Sequence, residues 1–442
     1  MTIKDGFINI LDCGAKVDGY SDDTSYINLA MKMIEANGGG TVIFTAGTIR
    51  ISSPIIIPDS GIRIQTASSY LTRISPLTNF VGDKILHFKN KRDGNKGIHI
   101  DSGLFIDCAL NEVHGIYVEN GYDQFSFRNV EVRNLHPDFI GFNFMCQPSA
   151  LPVGQTVLLE NCFVEHGTST GNAPCYSFDK YQEINLIGCK AFGNKANTKL
   201  EDSSELSSKG FQFTDCRGVT MTGCSAAFAH TAIEFTAKTR NAIGFTVTGQ
   251  TNESILREAL KTDAGDNLKV SHVTAFPIRA QSGCGRYDLK KLILGTIFSA
   301  NEAVELDATS FQNTIFTALK EVVTGNTIKN TVIGTANALK IGVSFNDVLE
   351  IEAAENPNIV FKNKDQPSLR INYKNTGELS IQKYDMNTKI WSDHLKVLPS
   401  YANNYTGLAI PYRLDGVNKM GQIKLGTADS AGIGYRALMI SN

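Results

Sequence analysis

Apolar and polar positions alternate along the middle of this chain in short stretches of four, the period of a half-buried strand. The stretches fall into two columns. The first aligns Phe105–Cys108, Phe127–Val130, Leu159–Cys162, Leu186–Cys189 and Met221–Cys224, with steps of 22, 32, 27 and 35 residues. The second aligns Gly115–Val118, Gly141–Phe144, Cys175–Phe178, Gly210–Phe213 and Ala232–Phe235. Two strands in fixed order per repeat predict a parallel β-helix, in which a step of 22 residues is a bare coil. Extra residues emerge as loops at fixed corners, so the insertions Gln147–Gln155 and Asn194–Ser208 are expected to flank the third coil and make a groove above it.

Before these columns, Ile10–Pro58 reads as a Gly-punctuated strand, an amphipathic helix and two further strands. Ser21, Asp22, Asp23 and Thr24 supply N-cap oxygens and first-turn acids. Ile27, Ala30, Met31 and Ile34 share one helical face, and Gly38-Gly39-Gly40 ends the helix. This order, with Gly14-Ala15-Lys16, Asp18-Gly19, Asp22-Asp23-Thr24, Gly38-Gly39-Gly40-Thr41 and Ala46-Gly47-Thr48, resembles the N-terminal signature of pectate-lyase-like right-handed parallel β-helix proteins, above all phage tailspikes and tail-borne polysaccharide depolymerases. Cys13, Thr45 and Ile49 depart from the Phe, Pro and Tyr of that signature. The resemblance implies an all-β fold, a right-handed single-stranded parallel β-helix in which the short N-terminal helix caps the first coil.

Beyond Gly249 the rhythm weakens. Glu253–Leu260 reads as a short helix, and Phe276-Pro277 with Ser282–Gly285 as loop. Leu289–Ile341 returns to slimmer coils marked by Asn313, Asn326 and Asn330. From about residue 345 the composition changes, and strands Leu369–Tyr373 and Glu378–Tyr384 around Asn375-Thr376-Gly377 give a hairpin signal. The expected division is therefore 1–58 cap and first coil, 59–344 β-helix, and 345–442 a β-rich domain holding the single tryptophan, Trp391. Its apolar tail, Gly432–Asn442, needs covering, and a three-fold subunit contact is one way to do so. The resembled tailspikes are generally homotrimers.

Composition narrows the function. A formal net charge of -2 with 19% charged residues provides no field for nucleic acid or an anionic membrane. No apolar run approaches the ~18 residues of a membrane span, and the signature begins at about Ile8, ahead of which there is no room for a secretory signal and no virion-anchoring domain, so either a partner protein provides attachment or the sequence starts at the repeat domain of a longer chain. A virion component released by lysis is the expected setting, with a baseplate or tail adaptor protein as attachment partner. The nine cysteines lack metal-ligand spacing and are expected to be buried free thiols. No metal or cofactor is expected, because the motifs of plant-type polygalacturonases and calcium pectate lyases do not occur.

Residues at equivalent places on adjacent coils lie about 4.8 Å apart, so registry becomes a search for chemistry. Past the first column come Asn111, Arg133, Glu165, Phe192 and Ala227, which stacks Arg133 beside Glu165. At the exit of the second column come Glu119, Met145, Asp179, Thr214 and Thr236, with Asp215 one residue on. Glycoside hydrolysis needs two carboxyls, one protonated and one ionised. Glu165 and Asp179 are the expected pair, with Asp215 a third candidate and Glu201, Asp202 and Glu205 a second choice in the coil-four insertion. Arg133, His136, His166, Tyr176 and Lys190 are the expected substrate contacts. Arg133, His136, His166 and Lys190 would also furnish β-elimination of a uronate-containing glycan, and Phe163, Tyr117, Tyr176 and Tyr181 are candidates for stacking on sugar rings. The reading is a tailspike that binds and depolymerises a bacterial surface polysaccharide such as capsule, exopolysaccharide or teichoic acid. Hydrolysis is favoured, and a lyase or a non-catalytic receptor-binding spike of the same fold are the alternatives.

Overall fold

The computed structural model describes residues 6–341, apart from 59–60, 69, 90–96, 121–123, 147–153, 168–170, 194–207, 277, 281–285, 300–302, 318–322, 326–329 and 335–338, together with the strands of a second unit beyond them. The chain divides into two compact units, Met1–Val343 and Ser344–Asn442. The first is a right-handed parallel β-helix wound from three sheets. A central coil shows the plan. Val157–Glu160 joins the first sheet, Phe163–His166 the second and Tyr176–Asp179 the third, after which Gln182–Ile187 returns to the first one rung along. Pairing is parallel throughout this stretch, with Leu159 beside Leu186 and Leu186 beside Met221, and with Phe144 beside Phe178 and Phe178 beside Phe213.

Because parallel neighbours keep their register, like side chains stack on like inside the helix. Phe142, Tyr176 and Phe211 form one buried stack with ring centroids 5.1 and 4.8 Å apart, and Phe144, Phe178 and Phe213 a second at 4.9 and 5.2 Å. Tyr176 is thus a core residue, and its hydroxyl donates to the Lys190 carbonyl at 3.1 Å. It is not available as a substrate contact.

Between the first and second sheets the chain turns through one left-handed residue: Asn129, Asn161, Gly188, Gly223 and Gly249, with φ of 54, 52, 62, 63 and 66°. Asn and Gly are the residues that tolerate this conformation. The next residue points inward, which is why Cys162, Cys189 and Cys224 follow small or polar residues. Their thiols donate to the carbonyls of Phe127, Leu159 and Leu186 on the preceding coil, at 3.4, 3.4 and 3.5 Å. All eight described cysteines are free and buried.

Three expectations are corrected. Phe105–Cys108 does not belong to the first column: Leu104–Asp107 lies in the second sheet against Val130–Leu135, and Ile98–Ile100 takes the first-sheet place below Phe127. Asp107, not Asn111, is therefore the residue beside Arg133. Glu253–Leu260 is not a helix. Thr251–Glu253 pairs with Ser225–Ala227 and Glu258–Ala264 with Thr231–Ala237, so ladder hydrogen bonds override the local apolar spacing. In the N-terminal helix, Thr24–Ala36, the Asp23 carboxylate makes no cap bond. It accepts from the Lys16 and Val17 amides at 2.7 and 3.1 Å, while Asp22 accepts from the Thr24 amide at 3.0 Å. The helix buries Ile27, Ala30, Met31 and Ile34 and packs on Ile55–Pro58 and Gly40–Phe44.

The slimmer coils past Leu289 are present as Thr296–Ser299, Thr314–Thr317 and Thr331–Gly334. Buried Asn313 and Asn330 tie them, since the Asn313 amide donates to Asn330 Oδ1 at 3.0 Å and Gly295 N to Asn313 Oδ1 at 2.6 Å. Asn326 and Ser282–Gly285 lie outside the described residues. The second unit is an antiparallel sheet in which Tyr373 opposes Leu379, the hairpin expected around 375–377, and Met439–Ser441 pairs with Val417–Lys424.

The corner residues yield a stability test. A Cβ on Gly188 would lie 2.5 Å from Asn161 Oδ1, whereas one on Gly223 meets nothing within 4 Å. Both Gly→Ala changes are expected to cost about 1–2 kcal/mol for left-handed backbone, with Gly188→Ala the costlier, as read from urea midpoints. Equal losses would show that Asn161 does not constrain the corner.

Candidate functional site

The two insertions lie on opposite borders of the third sheet. The chain leaves the second sheet at Lys190–Phe192 and enters the third at Lys209–Thr214 across residues 193–208. It leaves the third at Phe142–Met145 and enters the first at Val157–Glu160 across 146–156. The strands that flank the two insertions thus place their ends on the two borders of the third sheet.

The outer face of the third sheet carries a hydrogen-bonding side chain on nine consecutive rungs. In register they run His87, Tyr117, Asn143, Ser177, Gln212, Glu234, Lys261, Asp288 and Glu305. Asn143, Glu234 and Asp288 are buried although they point away from the core. Glu234 is held by Lys209 Nζ at 3.1 Å, Lys261 Nζ at 3.7 Å and Gln212 Nε2 at 3.0 Å, so its carboxylate is engaged in the face's own ion pairs.

A parallel outward column runs Lys89, Glu119, Met145, Asp179, Thr214, Thr236 and Asp263. Glu119 and Asp179 are two rungs apart, roughly 9–10 Å by strand spacing, with Met145 between them. His87 Nε2 donates to Glu119 Oε2 at 2.9 Å, and burial presses the His87 pKa down against the opposing pull of Glu119. The Tyr117 hydroxyl donates to Met145 Sδ at 3.5 Å, and Lys84 Nζ sits 4.1 Å over the Tyr117 ring. Asp179 has the opposite environment to an ion-paired acid. Burial raises its pKa despite Lys180, Lys238 and Arg240 nearby, and its Oδ1 is buried without a hydrogen-bond partner among the described residues.

Asp215 occupies a different role. It stands at the left-handed corner between the third and first sheets, φ 56°, as Asn120 and Lys180 do on other coils. Its carboxylate accepts from the amides of Lys238 at 2.6 Å and Thr239 at 3.1 Å and from the Thr239 hydroxyl at 2.5 Å, and Arg240 Nε donates to its carbonyl at 2.6 Å. Burial alone would raise its pKa, but the bonds from Thr239, Lys238 and Arg240 outweigh it and hold the acid below the usual range. Asp215 is thus occupied in building the 238–240 turn, and its expected catalytic part has no free oxygen to act with.

The second sheet gathers the remaining expected residues. Arg133 reaches Glu131 Oε2 through Nε and Nη2, each at 2.9 Å, and Glu165 Oε2 through Nη1 at 3.6 Å, so the predicted Arg133–Glu165 stacking is present. The guanidinium lies 4.7 Å over the Phe163 ring, and Lys190 is the rung neighbour of Phe163. Glu165 therefore sits on a different sheet from Asp179, and the two are not brought together. His166 is buried, donates to the Phe139 carbonyl at 3.0 Å and is pushed by burial to a pKa of about 4. His136 accepts from the Asp138 amide at 3.3 Å and packs on Phe139. The expected elimination set of Arg133, His136, His166 and Lys190 thus does not converge, since His166 faces the interior. Tyr181 is also in the core. Glu201, Asp202 and Glu205 lie outside the described residues, and no cluster of metal-binding side chains occurs among the described ones. Sequence reasoning passed over His87, which precedes the repeats, and Arg240, which no column contains.

Residues 7–111 match the family described as rhamnogalacturonase A/epimerase, pectate lyase-like. No curated protein sequence matches the chain. Among solved structures, the gp42 tailspike of Acinetobacter phage vb_AbaP_AS12 is similar over 100% of this chain and 83% of its own, with 11% identity and a TM-score of 0.53. A mutant tailspike of E. coli bacteriophage HK620 in complex with a hexasaccharide is similar over 75% of this chain and 64% of its own, with 12% identity and a TM-score of 0.50. A double mutant of the same tailspike gives 12% identity and 0.50 over 75% and 65%.

The Asp215 geometry sets a pH test. With its folded pKa below the unfolded value, Asp215 contributes stability above the ordinary carboxylate range, and that contribution is lost as pH falls through the folded value. Asp215→Ala is expected to cost about 3 kcal/mol at pH 7, and the gap from the parent should narrow at about pH 3 in urea titrations. A gap independent of pH would mean that the carboxylate charge plays no part.

Proposed function

We propose that this chain, whose fold is the pectate-lyase-like parallel β-helix of phage tailspikes, binds a bacterial surface polysaccharide along the outer face of its third sheet and cleaves it by hydrolysis. The observation that carries the reading is the Glu119–Asp179 pair. Inverting glycosidases hold their two carboxyls about 6.5–9.5 Å apart, leaving room for a water, and two rungs of a parallel sheet supply a spacing close to that. Asp179, whose pKa burial raises, is the acid that donates its proton to the glycosidic oxygen as the C–O bond breaks. Glu119, oriented by His87, takes a proton from the water that attacks the anomeric carbon on the opposite face. One proton leaves the enzyme at Asp179 and one arrives at Glu119, and the product has inverted configuration.

The polar ladder from His87 to Glu305 supports a polymer as ligand, since a monosaccharide would use two or three of those rungs. The similarity of the fold to tailspikes, one with a hexasaccharide bound, points the same way. Arg133, Glu165 and Lys190 form a separate polar surface on the second sheet that contacts the polymer outside the cleavage position. By the same analogy the protein works as a homotrimer in the phage tail, attached through a baseplate or adaptor protein and acting at the host surface.

Incubation with host capsule, exopolysaccharide or teichoic acid should release new reducing ends without the ultraviolet absorbance of an unsaturated uronate. Asp179→Asn and Glu119→Gln should each lower kcat by about 10²–10⁴-fold while glycan binding persists, and Glu165→Gln should stay within about threefold of the parent, as a contact outside the reacting centre does. Unchanged turnover in both of the first two variants would refute the pair. Binding with no cleavage of any polymer would make the chain a receptor-binding spike, and unsaturated products would make it a lyase.

A further inference from the structure

The corner beside Asp179 is unusually rich in cations. Lys180, Lys238 and Arg240 all act electrostatically on Asp179, and Arg217 adjoins Arg240. The other carboxylate there is Asp215, 1% exposed, with its oxygens taken by the 238–240 turn. That turn fixes the guanidinium. Arg240 Nε is spent on the Asp215 carbonyl at 2.6 Å, while Nη2 is buried and has no hydrogen-bond partner among the described residues. A buried guanidinium nitrogen without an acceptor forfeits the full cost of its desolvation, and a second guanidinium alongside adds repulsion. Such an arrangement is stabilised by an incoming anion, for which the planar fork of Arg is matched to carboxylate and phosphate oxygens.

We infer that Arg240, with Lys238, Lys180 and Arg217, forms an anion subsite that receives a carboxylate or phosphodiester group carried by the glycan next to the Asp179 end of the cleavage position. This rests on the reading of Asp179 as the acid and narrows the substrate to an acidic polymer. The two sources of the anion are a uronate-type sugar and a phosphodiester-linked chain such as teichoic acid. With a chain net charge of only -2, this patch is a local feature and not a consequence of overall basicity.

The test uses the full chain carrying Asp179→Asn, so that polymers are bound and not consumed, and measures affinity by calorimetry at two salt concentrations. The ligands are a uronate-containing capsule, the same capsule after carboxyl reduction, and a glycerol-phosphate teichoic acid. Tenfold or greater preference for one acidic polymer over the carboxyl-reduced one, with strong weakening by salt, is the expected result, and the polymer preferred identifies the anion. Lys238→Gln with Arg217→Gln should remove most of that preference and flatten the salt dependence. Neither side chain makes a hydrogen bond among the described residues, and Arg240→Lys should retain part of the binding. Equal affinity for native and reduced capsule and for teichoic acid, in parent and variant alike, would overturn the subsite. The outcomes separate the two readings: cleavage of a neutral polymer with no anion preference sinks the subsite and leaves hydrolysis standing. Anion-selective binding with no cleavage by the parent sinks hydrolysis and leaves the subsite standing.

Discussion

Everything in the first unit depends on each coil keeping the register of the one beneath it. The constraint is backbone: parallel strands about 4.8 Å apart must exchange hydrogen bonds at every rung, and a slip of one residue would turn each inward side chain outward. One corner enforces it on the central coils. Between the first and second sheets a single left-handed residue, Asn129, Asn161, Gly188 or Gly223, donates its amide to the next coil at 2.8–2.9 Å, and that regular bond locks the phase of whatever follows. Inside, phase-locking lets Phe stack on Phe and thiol on carbonyl. Outside, it converts a one-dimensional sequence into columns of chemically equivalent positions.

On the central coils the long steps fall at the other two corners, and this shapes the surface around the third sheet. From Phe125–Arg128 to Ala242–Thr248 the first-to-second junction passes in one or two residues, so it leaves the shared edge of those sheets low there. The junctions on either side of the third sheet absorb the long steps. The outer face of the third sheet carries a polar group on nine consecutive rungs, and the burial of outward-pointing Asn143, Glu234 and Asp288 shows that neighbouring side chains already shield its floor from water. Electrostatic interactions on such a floor are stronger than on an open sheet.

How much of this was legible in the sequence follows from which of these constraints leave a mark on residue type. The second column was read correctly in all five members because its inward Phe and Tyr are large and its leading Gly or small residue makes room for the neighbouring coil, as at Gly141, where a Cβ would lie 2.5 Å from a Val164 methyl carbon. The first column was misread at one end, since Phe105–Cys108 has the same apolar–polar–Cys pattern as its neighbours while the true member, Ile98–Ile100, is only three residues long. Arg133 against Glu165 was legible because both lie on one sheet at one phase. Pairing Glu165 with Asp179 failed because closeness in sequence says nothing about the corner between two sheets. The carboxylate that shares a sheet and a column with Asp179 is Glu119, two members earlier.

Asp179 and Asp215 show why residue type alone could not assign the acid. They occupy adjacent coils near the same corner, and each is desolvated. One residue of phase separates their fates. Asp179 is the last residue of its strand, so its side chain stands on the outer face and meets no amide. Asp215 is the corner residue itself, and its left-handed backbone aims the carboxylate at the 238–240 turn, where backbone amides and a hydroxyl stabilise the charge. The same burial that raises the Asp179 pKa is thereby outweighed for Asp215. The turn that Asp215 builds also holds Arg240, whose Nε donates to the Asp215 carbonyl, where its charge acts on Asp179. The opposite pKa shifts of the two acids and the placement of Arg240 are all products of one register.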